Sequence, residues 1–178
     1  MSVSAPRFLV VSLGNQAPYF DCLHSAGHFA LSAAQKALAF SQPPFASERY
    51  GKKACMASSG YLTPLSRPSE LGLVLVHDEL EAALGHVRIR KWEASPRGHN
   101  GIKSVKKSLG SPSFPHARWS RISIGIGRPV ERTPDVVSDY VLRKMTSHQK
   151  QTIDETGPKI IHCLRELQDE WQDSDDAT

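Results

Sequence analysis

LGLVLVHDEL, residues 71–80, decides how the chain folds. Its first six residues form a continuous apolar run of the kind that makes a parallel strand buried on both faces. The run ends at His77-Asp78, so the strand delivers groups able to move protons to its carboxyl end.

A second such run, FLVVSL at residues 8–13, stops at Gly14-Asn15. A loop containing Pro18 leads to a helical pattern of Phe29, Leu31, Ala34 and Leu38. Residues 41–49, with Pro43-Pro44, read as loop, and residues 50–65 as strand, a turn at Ser58-Ser59-Gly60, and strand again. Residues 87–92 alternate apolar side chains with Arg and Lys, which fits a strand with one wet face. Residues 100–109 predict a helix with Ile102, Val105 and Leu109 on one side and Gly110 as its stop. Residues 119–126 alternate as a strand that closes at Gly127. A last helix starts at Pro158, its stripe formed by Ile160, Ile161, Leu164, Leu167 and Trp171. Strands interleaved with helices imply an α/β fold: one three-layer sandwich spanning residues 1–178, with a mixed, largely parallel sheet. Residues 1–7 and 172–178 are expected to be flexible ends.

Composition bounds the function. Of 178 residues, 39% are hydrophobic and 22% charged, which describes a soluble globular protein. No apolar run is long enough to span a bilayer, and residues 1–7 resemble neither a signal nor a transit peptide. Cys22, Cys55 and Cys163 are odd in number and widely spaced, arguing for a reducing compartment and against a disulfide frame or zinc site. Between residues 88 and 107, Arg88, Arg90, Lys91, Arg97, Lys103, Lys106 and Lys107 face the single acid Glu93. Such a block fits an anionic partner, phosphate above all, or simply a solvated surface.

In sheets of this kind ligands bind outside the carboxyl ends of the strands. Three endings lie there: Gly14-Asn15, His77-Asp78 and Gly125-Ile-Gly127-Arg128. The last lacks the rest of a dinucleotide fingerprint and reads as a tight turn. His24 and His28 have the spacing of two zinc ligands on a helix, but Ser25 stands where the glutamate belongs and Gly27 weakens the helix. Asp78 is either the cap of a strand end or the carboxylate that steadies a catalytic imidazole. No serine or cysteine sits in a nucleophile-elbow sequence, so a His–Asp pair suits activation of water. Asn100 either caps its helix or offers its amide to a ligand at the electropositive helix end.

Taken together, the blocks Leu13-Gly-Asn15, Tyr19, His24-Ser-Ala-Gly27, Val74-Leu-Val-His-Asp-Glu-Leu80, Gly98-His-Asn-Gly101 with Lys103, and Ile124-Gly-Ile-Gly-Arg-Pro129 resemble the bacterial-type peptidyl-tRNA hydrolases. The weaker Val137-Ser-Asp-Tyr-Val-Leu-Arg-Lys144 completes the order. The resemblance implies a monomeric α/β enzyme of cytosol or mitochondrion, without cofactor or metal, that cleaves the ester joining a peptide to the 3′ end of tRNA. It implies His24 as the base that activates water and Asp78 as the holder of its imidazole. Asn15 and Asn100 would bind the peptide and 3′-terminal groups, with Tyr19 and His99 lining the site. His28 has no family role and is expected in helix packing. The substrate also accounts for the basic block, with Arg88, Arg90, Lys103, Lys106, Lys107 and Arg121 against tRNA phosphates.

One block departs from the family. Where a Met-Asn-x-Ser-Gly sequence is usual, Cys55-Met-Ala-Ser-Ser-Gly60 has only the outline, with Ala57 in the asparagine position. If residues 60–65 and 71–76 were neighbouring parallel strands, residues 66–70 alone would connect them, and a parallel crossover needs a dozen or more. The chain would then have an antiparallel strand there or have lost a crossover helix. Two other readings therefore stand beside the hydrolase: a catalytically impaired tRNA-binding homologue or truncated variant of the same family, and a metal-dependent hydrolase.

Overall fold

The computed structural model describes residues 7–39, 41, 46–50, 54–58, 71–109 and 118–176. In chain order these form β1 (Arg7–Ser12), a 3-10 turn (Leu23–Ser25), α1 (Ala26–Leu38), β2 (Ala46–Tyr50) and β3 (Ala54–Ser58). Then follow β4 (Leu71–Glu79), β5 (Val87–Lys91), α2 (Asn100–Ser108), β6 (Trp119–Gly125), α3 (Pro134–Leu142), α4 (Ser147–Asp154) and α5 (Gly157–Asp176).

The main sheet has the order β1-β4-β6-β5. β4 lies parallel to β1 and to β6, and β5 closes the edge antiparallel to β6. The sheet is mixed and largely parallel, as the two apolar runs imply. β4 does not stop at His77; its pairing with β6 continues to Glu79 against Gly125. β2 and β3 pair antiparallel in a separate sheet, so residues 46–49, expected as loop, are strand, and Ser58, expected in a turn, ends β3. Both flanks of β4 are occupied, by β1 and β6, so no further strand can pair beside it. The short link at 66–70 and the expected strand at 60–65 lie outside the described residues.

Strand alternation gives the sheet two unlike faces. Val74 and Val76 of β4, with Ile122 and Ile124 of β6, are fully buried in an apolar core shared with Leu23, Ala30, Ile153, Ile160, Leu167 and Trp171. α1, α4 and α5 supply this layer. The opposite face carries Leu75, His77, Arg121 and Ser123, also buried, and β5 adds Arg88 and Arg90 opposite Ser123 and Arg121. α2 begins beside it, where the His99 ring meets His77 edge-on at 5.3 Å, and its Ile102 is fully buried. Burial of successive residues from Val74 to Glu79, on both faces of the strand, explains why β4 reads as an unbroken apolar run.

α1 approaches the sheet on its small residues, Ala26, Gly27, Ala30, Ala33 and Ala34. A Cβ at Gly27 would lie 2.6 Å from the Val76 carbonyl oxygen and 2.8 Å from that of Leu13. α5 is buried on Ile160, Cys163, Leu167 and Trp171, with Ile161 and Leu164 only partly covered. Trp171 packs over Gly72 and at 5.2 Å from the Phe8 ring. α5 stays helical to Asp176, well into the stretch expected to be flexible.

Because the Gly27 contacts are with backbone, they cannot be relieved by a rotamer change. Gly27→Ala is expected to cost about 1–3 kcal/mol, seen as a fall of roughly 2–4 °C per kcal/mol in melting temperature. An unchanged melting temperature in a thermal scan would contradict this packing.

Candidate active site

The carboxyl ends of β1 and β4 meet the amino end of α1, where Leu13 N donates to the Val76 carbonyl at 2.8 Å. His24 sits at the centre of the 3-10 turn that precedes α1. Cys22 is extended and bridged to Lys144, while Ser25 N bonds back to the Cys22 carbonyl at 3.0 Å. The chain therefore bends at Cys22 and turns its next side chains towards the strand ends.

Asp78 lies on the core side of β4 but at its end, where α1 begins. Its side chain is 4% exposed, against 25% for His24. His24 Nδ1 lies 2.9 Å from Asp78 Oδ1, and His99 Nε2 lies 3.0 Å from the same oxygen. Burial alone would raise the Asp78 carboxyl, but the hydrogen bonds from both imidazoles outweigh it and hold the group at about 2. A carboxylate only accepts, so His24 Nδ1 carries the proton and Nε2 is left with its lone pair. The hydrogen bond to Asp78 raises the His24 pKa, burial opposing it. A steered, partly exposed imidazole with a free Nε2 is equipped to take a proton from water.

His77, the sequence neighbour of Asp78, is not the imidazole this carboxylate holds. Alternation along β4 puts it on the other face, where it donates from Nδ1 to the Asp78 carbonyl at 2.7 Å. Burial pushes it down to about 4.

His24, Asp78 and His99 form the one group of three metal-type donors among the described residues. A metal there would displace the protons with which both imidazoles satisfy the buried carboxylate, and a catalytic zinc site takes three ligands and a separate base.

These side chains lie within a sequence that matches, over residues 9–176, the family described as Peptidyl-tRNA hydrolase. The chain belongs to that family. The peptidyl-tRNA hydrolase of Methylococcus capsulatus is 32% identical over 179 aligned residues, covering 89% of this chain and 91% of that one. The probable peptidyl-tRNA hydrolase of Schizosaccharomyces pombe is 40% identical over 119 residues, 66% of this chain. The chain spans only about half the length of other relatives that it matches: 55% of the Schizosaccharomyces pombe protein and 47% of that from Sulfurihydrogenibium. Among solved structures, a peptidyl-tRNA hydrolase from Acinetobacter baumannii shares the fold, with a TM-score of 0.58 and 18% identity over 94% of this chain and 97% of that one.

The other residues singled out by the peptidyl-tRNA hydrolase resemblance are distributed around this pair. Asn15 is half-buried, its backbone N donating to Ser25 Oγ at 3.0 Å and its side-chain amide to Cys22 Sγ at 3.5 Å. Tyr19 is 53% exposed. Asn100 is exposed and accepts from Lys103 Nζ at 3.4 Å. It does not cap α2; His99 does, its Nδ1 accepting from Ile102 N at 3.4 Å. His28 faces Ser12 Oγ at 2.7 Å and stacks on Phe20, in keeping with a packing role.

The basic residues separate into groups. Lys103 and Lys107 are exposed on α2, and Arg88 and Arg90 are half-buried on β5. Lys106 is folded back, 3.0 Å from the Ala94 carbonyl and over the Trp92 ring. Arg121 corrects the expectation: it is 1% exposed, and its guanidinium donates to the carbonyls of Lys91 at 3.1 Å and Ala94 at 2.6 Å. It ties the loop after β5 to the sheet and is unavailable to phosphate. Sequence reasoning also passed over Ser25, fully buried, whose hydroxyl reaches the carbonyls of Asn15 and Tyr19. Its place inside His-Ser-Ala-Gly was the available signal.

The dyad makes a pH prediction. The His24 imidazole should titrate above 6.5, and Asp78→Asn should bring it to 6.5 or below, because burial then acts with no carboxylate opposing it. Histidine Cε1–H shifts in an NMR titration read this directly; equal midpoints in both proteins would break the dyad. The sign for stability follows. The depressed Asp78 contributes stability above 3.8 that is lost as pH falls towards 2, whereas the raised His24 contributes most below 6.5 and loses its share as pH climbs through its folded value.

Proposed function

We propose that this chain hydrolyses the ester between a peptidyl group and the 3′ end of tRNA, with His24 as the base that activates water. The observation that carries the reading is the 2.9 Å contact of His24 with a carboxylate 54 residues away, which leaves Nε2 as the basic nitrogen. An ester with a ribose oxygen as leaving group needs less help than an amide. A general base contributes roughly two to four powers of ten, and donors to the developing oxyanion about two to three more. The half-buried amide of Asn15 and the exposed amide of Asn100 are the donors proposed for the peptide and terminal nucleotide groups, with Tyr19 on the rim. His99 touches Asp78, not the water-facing side of the base.

Docking is assigned to the basic edge. Lys103 and Lys107 on α2, with Arg88 and Arg90 on β5, are proposed to contact phosphates and set the register of the RNA without reading its sequence. Among the described residues no helix is long and apolar enough to cross a membrane. The enzyme is proposed to act as a monomer, in cytosol or mitochondrion, without a metal or cofactor.

Release of an N-blocked aminoacyl group from tRNA tests the reading. Turnover should persist in chelator and fall about 10²–10⁴-fold in His24→Ala. Tight tRNA binding without release by the unaltered chain would instead mark a binding homologue, a reading that Ala57 in the usual asparagine position favours. Loss of turnover on chelation would assign a metal hydrolase. Separately, Lys103→Ala with Lys107→Ala should weaken tRNA binding and flatten its salt dependence, whereas Lys106→Ala alone should change the salt slope less. Equal slopes for all three proteins would remove α2 from the interface.

A further inference from the structure

We propose that His99 is a positioning residue and not a substrate contact: it joins helix α2 to the Asp78 carboxylate and keeps that carboxylate aimed at His24. The consequence for turnover rests on the hydrolase reading, but the geometry can be tested without substrate.

Both ring nitrogens of His99 are committed. Nδ1 accepts from the backbone N–H of Ile102, which can only donate, so this nitrogen presents its lone pair. Nε2 then carries the proton and gives it to Asp78 Oδ1 at 3.0 Å. The side chain is 8% exposed, leaving little surface for a ligand. Its ring is wedged between two others, 4.7 Å from His24 and 5.3 Å, edge-on, from His77. The charged and titratable groups facing it are therefore His24 from the 3-10 turn, Asp78 and His77 from β4, and Arg121 of β6 behind His77.

The placement has a physical purpose. A carboxylate with one imidazole donor could swing about its last bond; two donors converging on Oδ1 fix the oxygen that His24 must find. The second donor also shares the negative charge, so that Asp78 attracts the His24 proton less strongly than an unshared carboxylate would. Because the same ring caps α2, the helix that carries Lys103 and Lys107 is fastened directly to the group that orients the base.

Two substitutions divide the ring's duties. In His99→Asn the side-chain oxygen can still accept from Ile102 N, as a good helix cap does, but the side chain is too short to reach Asp78. In His99→Gln the amide nitrogen falls near the place of Nε2 and can donate to Asp78, while the cap is lost. Histidine NMR titration of the free protein should place the His24 midpoint higher in His99→Asn than in the unaltered chain, by about 0.5 pH unit or more. His99→Gln should restore it, while the α2 amides exchange roughly fivefold faster for want of a cap. With substrate, the acid limb of kcat/KM should follow the same order, and kcat should fall more than KM rises in His99→Asn.

Identical His24 midpoints in all three proteins would overturn the proposal, as would a rise in KM alone with an unmoved acid limb. If His99→Asn does not fold, His99→Ser takes its place, since it can also cap the helix but is too short to reach Asp78: a raised His24 midpoint supports the proposal and an unmoved one sinks it. An unaltered chain with no turnover would defeat the hydrolase reading and leave the NMR comparison intact.

Discussion

A buried carboxylate must be satisfied, and in this chain the way Asp78 is satisfied organises everything around it. Leaving an ionised group 5% exposed without partners would cost several kcal/mol. Asp78 escapes that cost by drawing hydrogen bonds from His24 and His99, which arrive on different elements and meet at one oxygen. The turn before α1 and the cap of α2 are thereby fixed to one oxygen atom at the end of β4. Those two elements hold the candidate base and the lysines proposed for docking, so electrostatic necessity and functional geometry have the same origin.

Close packing supplies the precision. α1 can bring its first turn to the strand ends only because Gly27 offers no side chain to the Val76 and Leu13 carbonyls. Ser25, buried beside it, reaches Asn15 and Tyr19 and gathers the loop after β1 to the same turn. A contact of 2.9 Å between groups 54 residues apart is thus the product of one glycine, one serine hydroxyl and the carboxylate's demand for donors.

The central strand was legible in the sequence because its burial is two-sided: β4 is buried from Val74 to Glu79. β1 reads as a similar apolar run although it is an outer strand of the described sheet, with Leu9 37% exposed. The candidate base and its carboxylate were legible only through the resemblance of His24-Ser-Ala-Gly27 and His77-Asp78 to a known family, since nothing in spacing joins residue 24 to residue 78. What escaped was orientation. Residues 87–92 alternate as if one face were wet, yet Arg88 and Arg90 are half-buried and Arg121, across the strand from Arg90, is enclosed. A positive charge reads as surface in a sequence, and only the carbonyls of Lys91, at the end of β5, and Ala94, in the loop after it, reveal why this one is not. The cap of α2 escaped for a related reason: Asn100 is the better cap former, but the pull of Asp78 on His99 sets the helix boundary one residue earlier.

The two faces of the sheet divide stability from function. The face against α1 and α5 is nearly all aliphatic, with Val74, Val76, Ile122 and Ile124 fully buried and a single carboxylate at its margin. The face towards α2 carries His77, Arg88 and Arg121, each with a buried nitrogen that finds no partner among the described residues. A buried nitrogen left with no partner of any kind would cost about 1–3 kcal/mol. A chain selected for stability alone would fill those positions with Val or Ile, as it does one residue away on the opposite face. The polar layer persists behind the His99 ring and beneath the proposed docking edge, and the apolar face is what allows the fold to tolerate it.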